Sequence, residues 1–184
     1  MSRAETSVIE KIGIHATAAT AVPTLPDKDS GTPMTMTGFV TIGSRDKSHD
    51  ADLNEDSLTV PFARDDAVVD PPLGLAAADH IQKKAGAIPF EFTCYDAAEA
   101  LFALDSDISI TTHVASMDTT RTKRAVLIEV AGKYVDYFPQ CVVQVMEGSV
   151  GGGEAGTTKV LVSPEGTSTV PGGWQRHWYQ PAVE

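Results

Sequence analysis

The chain has 184 residues and 19.5 kDa, room for one domain with long excursions. Its 14 Lys+Arg stand against 25 Asp+Glu, a formal charge of −11, which argues against a protein that grips nucleic acid, since tight phosphate binding needs clustered cations. A hydrophobic content of 42% with 21% charged residues excludes a chain disordered throughout, and no apolar run approaches the roughly 18 residues of a membrane helix.

The start, Met1 to Thr6, leads into no apolar stretch, so no secretory signal is expected. Cys94 and Cys141 are too few for a disulfide scaffold and form no close metal pair. Thr, Val and Ile number 19, 18 and 9; these β-branched side chains suit a pleated, half-buried surface. A mainly β fold is expected.

Val8, Ile9, Ile12 and Ile14 fit a strand or a short turn of helix, and Pro23, Pro26, Gly31 and Pro33 then make residues 1–37 an arm. Residues 38–43 read as a strand between glycines. Leu58–Phe62 is a further strand, demoted to an edge or bulge by Pro61, which lacks an amide donor. Residues 76–84 suggest a short helix.

The second half is more regular. In residues 88–94 Ile88, Phe90, Phe92 and Cys94 alternate with Glu91 and Thr93, the period-2 mark of a strand with one buried face. Asp96 and Glu99 then make a capping box, and Ala97, Leu101 and Leu104 line one stripe of the helix it starts. Ile108–Val114 alternates again as one strand. Residues 123–130 and 134–145 flank Gly132, which suits a tight hairpin turn. Residues 157–163 and 174–179 supply the last strands. The order predicts a β-sandwich or barrel with one flanking helix and a long inter-strand loop.

Features that invite chemistry each have a plainer reading. Residues 50–56 alternate oxygen ligands as a calcium loop does, but the Gly and bidentate Glu of an EF-hand would fall on Glu55 and Pro61. The glycine-rich residues 148–156 lack a following Gly-Lys-Ser/Thr and suit a hairpin tip better than a phosphate cradle. His15, His49, His80, His113 and His177 are scattered, with no spacing that brings two imidazoles to one metal. Cys94 and Cys141 fall on apolar faces and read as core residues; Trp174 and Trp178 suit a sheet end or a subunit contact. No catalytic constellation and no cofactor or metal site emerges.

Residues 46–70 hold Asp46, Asp50, Asp52, Glu55, Asp56, Asp65, Asp66 and Asp70 against Lys47 and Arg64, a local charge of 2 − 8 = −6. They lie in a loop, residues 44–87, long enough to suggest that it binds something; the plain alternative is a solvated acidic insertion.

The strand–helix unit at 88–105, the hairpin at 122–145 with Tyr134-Val135-Asp136-Tyr137-Phe138-Pro139 in its second arm, and a Thr-rich last strand resemble the tail tube (major tail) proteins of long-tailed bacteriophages. The resemblance covers residues 88–165. It implies a β-sandwich that forms hexameric rings stacked into a hollow tube, with residues 44–87 reaching the next ring and 166–184 a C-terminal segment. Asp46, Asp50, Asp52, Glu55, Asp56, Asp65 and Asp66 would then belong to an inter-ring loop. It further implies a virion protein assembled in the host cytoplasm, without membrane contact, whose partners are its own copies and the tape-measure, tail-terminator and tail-tip proteins. A hexamer would carry 6 × −11 = −66, and a wall of like sign lets DNA pass without holding it. Glu91, Glu129 and Asp136, on polar strand faces, are the lumen-facing candidates.

Other classes fit less of the sequence. A secreted or surface β-sandwich binding module would rest its calcium dependence on Asp50–Asp56, and an enzyme on a β-barrel would need a nucleophile–base pair. A tail terminator, head-decoration protein or secretion-system tube subunit shares the texture within the structural class.

Overall fold

A computed structural model describes residues 9–18, 38–43, 49–54, 64–68, 81–85, 89–95, 99–118, 120–130, 134–147 and 156–178, with backbone alone for 10, 64–68, 81–85 and 147. In chain order the elements are β1 (Ile9–His15), β2 (Phe39–Gly43), β3 (Ala51–Asp52), β4 (Arg64–Val68), β5 (Ile81–Ala85), β6 (Phe90–Cys94), α1 (Glu99–Phe102), β7 (Ile108–Thr111), β8 (Val114–Met117), β9 (Arg124–Val130), β10 (Tyr134–Glu147), β11 (Thr158–Pro164) and β12 (Gln175–Trp178). The fold is mainly β, as the β-branched composition demands.

Eight strands form one sheet in the order β3-β2-β1-β9-β10-β11-β6, with β12 also on β10. The sheet curls until its ends touch. Leu53, just past β3, bridges Cys94 at the end of β6; Asn54 N–H donates to Thr93 O at 2.8 Å and Tyr95 N–H to Asp52 O at 2.9 Å. The path of hydrogen-bonded neighbours thus returns to its start, which removes the two terminal edges an open sheet would leave.

Alternation along the strands fills the interior. Ile12 and Ile14 of β1 pair with Ile128 and Val126 of β9, and with Phe138, Val143, Val160, Val162, Phe90 and Phe92 they join one buried cluster. Each such side chain, once buried, contributes about 1.5–3 kcal/mol. The capped stripe behaves as expected where it is described: Leu101 and Leu104 are buried in that cluster. Asp96 and Ala97 lie outside the described residues, as do Leu58–Phe62, Gly132 and most of the glycine-rich run.

Strand β10 spans fourteen residues with a proline inside it, and the sheet accommodates Pro139 at one spot. Its register with β9 shifts between Phe138 and Cys141. On the other side β12 stops at Tyr137 and β11 begins at Cys141. Neither neighbour asks residue 139 for an amide proton, so the proline sits in a bulge where a ladder bond is missing on both edges.

Three expectations are corrected. Residues 81–84 of the segment 76–84, read as a helix, belong to strand β5, paired antiparallel with β4 in a register that sets Lys83 opposite Asp66 and Lys84 opposite Asp65; so short a segment has little helical stability of its own, and strand pairing prevails, while residues 76–80 lie outside the described residues. The 44–87 excursion is therefore not bare loop: it carries β3, β4 and β5. Ile108–Val114 is not one strand either. Thr112 (φ 52°) and His113 (φ 64°) turn the chain back, giving the two-stranded ribbon β7–β8, which joins no other sheet among the described residues.

Candidate self-association surface

Among the described residues three elements present large apolar side chains to solvent: β8, β12 and, through Met146 at 44% accessible, the far end of β10. Every residue of β8 is exposed; Val114 is 65% and Met117 80% accessible. No lysine, aspartate, glutamate, arginine or proline occurs from Ile108 to Met117, so neither a charge nor a proline blunts this strand edge. Trp178, 68% accessible, stands at the end of β12, a strand paired only to β10 among the described residues. Strand β8 is not legible in the sequence, where residues 108–114 alternate as a single strand. A positive-φ Thr-His pair carries no turn signature to warn of the reversal.

The ribbon is pinned at neck and tip. At the neck Arg121 grips Asp107 through Nε and Nη2 at 2.8 and 3.0 Å, and Asp118 N–H donates to Asp107 O at 2.8 Å. The hydrogen bonds from Arg121 hold the Asp107 carboxyl below its ordinary range, and Asp107 in turn raises the guanidinium. At the tip His113 Nδ1 lies 2.8 Å from Glu99 Oε2 on α1. Beside the neck, Glu165 accepts from Lys123 and, at 2.9 Å, from Gln140 Nε2, and these bonds lower its carboxyl.

The three lumen-facing candidates stand apart in environment. Glu91 is exposed and pairs with Lys159 at 2.6 Å. Glu129 is buried, 3.1 Å from Lys11, in a row that runs Gly43–Lys11–Glu129–Val135–His177 across the outer sheet face. Asp136 is 1% accessible. It accepts Arg176 Nε at 2.7 Å and Nη2 at 2.9 Å, and Trp174 Nε1 at 3.0 Å. The expectation of a polar face fails for Glu129 and Asp136 because both faces of β9 and the first half of β10 are covered: Ala125, Leu127, Val135 and Tyr137 form a second buried cluster. Each carboxylate is offset by its own cation, as burial requires.

The loop acids divide similarly. Asp50 clamps β2, its Oδ2 accepting Thr41 N–H at 2.7 Å while Asp50 N–H donates to Thr41 O at 2.9 Å. Asp52 lies in β3 and Asp65 and Asp66 in β4; Asp46, Glu55 and Asp56 lie outside the described residues. Among the described residues no three His, Cys, Asp or Glu side chains are placed to hold a metal ion. His49 packs against Gly43, where a Cβ would collide with its ring, and His15 stacks edge-on with Phe39 at 5.0 Å. Cys94 and Cys141 are buried, and burial drives the Cys141 thiol far above its ordinary value, which denies it thiolate character.

Compared with protein-family models and with curated proteins, the chain matches none. No helix among the described residues is long and apolar enough to cross a membrane.

Proposed function

We propose that the chain is a structural, non-enzymatic subunit that polymerises with its own copies, in the manner of the tail tube proteins of long-tailed bacteriophages: stacked hexameric rings around an acidic channel through which DNA passes, within a virion. The observation that carries the reading is that β8 and β12 each have an edge without a partner among the described residues and carry large exposed apolar side chains, Val114 and Met117 on β8 and Trp178 on β12. A chain of this charge gains solubility from its acids, so edges without carboxylates, Arg176 of β12 being neutralised within the chain by Asp136, are where identical copies can meet without opposing like charges. The order strand, helix, hairpin and final strand on one curled sheet, β6–α1–β9–β10–β11, supports the same reading.

The acidic lining rests on fewer residues than the sequence suggests. Glu91 remains accessible, whereas Glu129 and Asp136 are covered and paired. The tape-measure, terminator and tip partners follow from the tail tube reading alone.

Negative-stain microscopy of the concentrated purified protein tests this. Rings or tubes with a central hole are expected; monodisperse monomers at every concentration and salt condition overturn the reading.

A further inference from the structure

Strand β12 reads Gln175-Arg176-His177-Trp178, and this pattern gives it little means of choosing a register. Period-2 burial normally sets register, because a slip of one residue exchanges the buried and exposed faces. Here neither face is apolar in the ordinary way. Gln175 and His177 share one face, and Gln175 Oε1 and His177 Nε2 are buried with no hydrogen-bond partner among the described residues. Hydrophobic patterning gives no reason for Gln175 to stand opposite Tyr137 rather than two residues along.

The other face holds what the pattern lacks. Arg176 pairs in register with Asp136 and grips it with both nitrogens of a fork, at 2.7 and 2.9 Å. The guanidinium carbon sits 3.8 Å from the Tyr134 ring centroid, 5.5 Å from that of Trp174 and 6.0 Å from that of Trp178. Trp174 donates to the same Asp136 oxygen at 3.0 Å. One buried carboxylate thus collects three donors from the segment 174–176. Only one alignment of β12 satisfies it, and any two-residue slip would leave Asp136 buried without its cation.

We propose that the Asp136–Arg176 pair is a register lock, a positioning device that selects one alignment of β12 on β10 and thereby fixes where Trp178 emerges at the edge. Buried ion pairs add little net stability compared with apolar residues of like volume, but they penalise every misaligned state. The planar fork matters to this role, since a lysine offers a point charge that tolerates several geometries. The inference is independent of the polymerisation reading and stands on the single chain.

Cysteine pairs test it. In the native register V135C/H177C places two thiols directly opposite, within disulfide reach, while V135C/Q175C is a diagonal pair that bridges only after a two-residue slip. In the parent, the first pair is expected to oxidise about tenfold more than the second, a ratio equivalent to about 1.4 kcal/mol. With Asp136→Asn and Arg176→Met introduced together, the two yields are expected to converge while cooperative unfolding is retained. A double variant that keeps the parent ratio overturns the proposal. Should it fail to fold, Arg176→Lys decides: a shift toward the slipped crosslink supports the lock, and an unchanged ratio overturns it.

Discussion

The Asp105 carboxylate accepts the Val145 amide proton at 2.6 Å, so a side chain completes the edge of β10 where β9 no longer runs beside it. Its other oxygen accepts Asp107 N–H at 2.7 Å, and the adjacent Ser106 exchanges bonds with Val143 at 2.7 and 2.9 Å. Two residues after the helix thus act as a substitute strand. Asp105→Ala leaves two amides without this acceptor, one of them buried, and is expected to cost about 2–3 kcal/mol, read as a lower urea midpoint with an unchanged slope. Asp105→Asn retains one acceptor and should lose less.

Arg124 holds the same corner from the other side. Its guanidinium donates to Leu104 O and Ala103 O at 3.0 Å, to Asp105 O at 3.2 Å and to Ala16 O. It satisfies the carbonyls at the end of α1, which the helix itself leaves unmet, and ties them to the end of β1. Burial pulls the guanidinium below its ordinary value, yet four carbonyl dipoles surround it. Arg124→Met is expected to destabilise by about 3 kcal/mol, because several carbonyls lose their partner at once. Chemical denaturation checks this, and Arg124→Lys should recover only part of the loss.

The core and its strands were legible because alternation is a local signal. Phe90, Phe92 and Cys94 are buried as the pattern requires, and Glu91 is exposed. What failed depends on partners distant in sequence. Glu129 and Asp136 alternate with apolar residues and so read as solvent-facing, yet Lys11, 118 residues before Glu129, and Arg176, 40 residues after Asp136, supply the charges that let them be buried. The β7–β8 reversal failed for a different reason: Thr112 and His113 adopt a backbone region that their side chains disfavour.

That turn gives a gain-of-stability test. Two consecutive left-handed residues form a turn that prefers Asn-Gly, and non-glycine residues there cost on the order of 1–2 kcal/mol each. The contact from His113 to Glu99 lies between groups 84% and 51% exposed, and such surface pairs return only about 0–1 kcal/mol. Replacing Thr112-His113 by Asn-Gly is therefore expected to stabilise the chain by about 1 kcal/mol despite losing the contact, seen as a higher melting temperature. A lower one would mean that the tip contact outweighs the backbone strain.

The titrating groups predict a stability plateau with two shoulders. Asp107 and Glu165 are held below their ordinary values of 3.8 and 4.5. Each favours the folded state fully above those values, and that contribution is lost as pH falls through the lower folded-state value, where the unfolded chain binds more protons. On the alkaline side the signs reverse. Burial raises Tyr137 above 10.0 and Cys141 above 9.0, so the unfolded chain releases protons first and stability falls as pH rises past about 9. Melting temperature measured from pH 3 to 11 should be flat in the middle and decline at both ends, and Cys141→Ser should not be used to flatten the alkaline arm, since it buries a hydroxyl at a site whose sulfur lies 3.9 Å from Phe138 O. Alkylation offers the cleaner check. Cys94 and Cys141 should resist iodoacetamide in the folded chain near neutral pH and react together once denaturant passes the unfolding midpoint; modification at the native plateau would show that the barrel opens locally around β6 and β10.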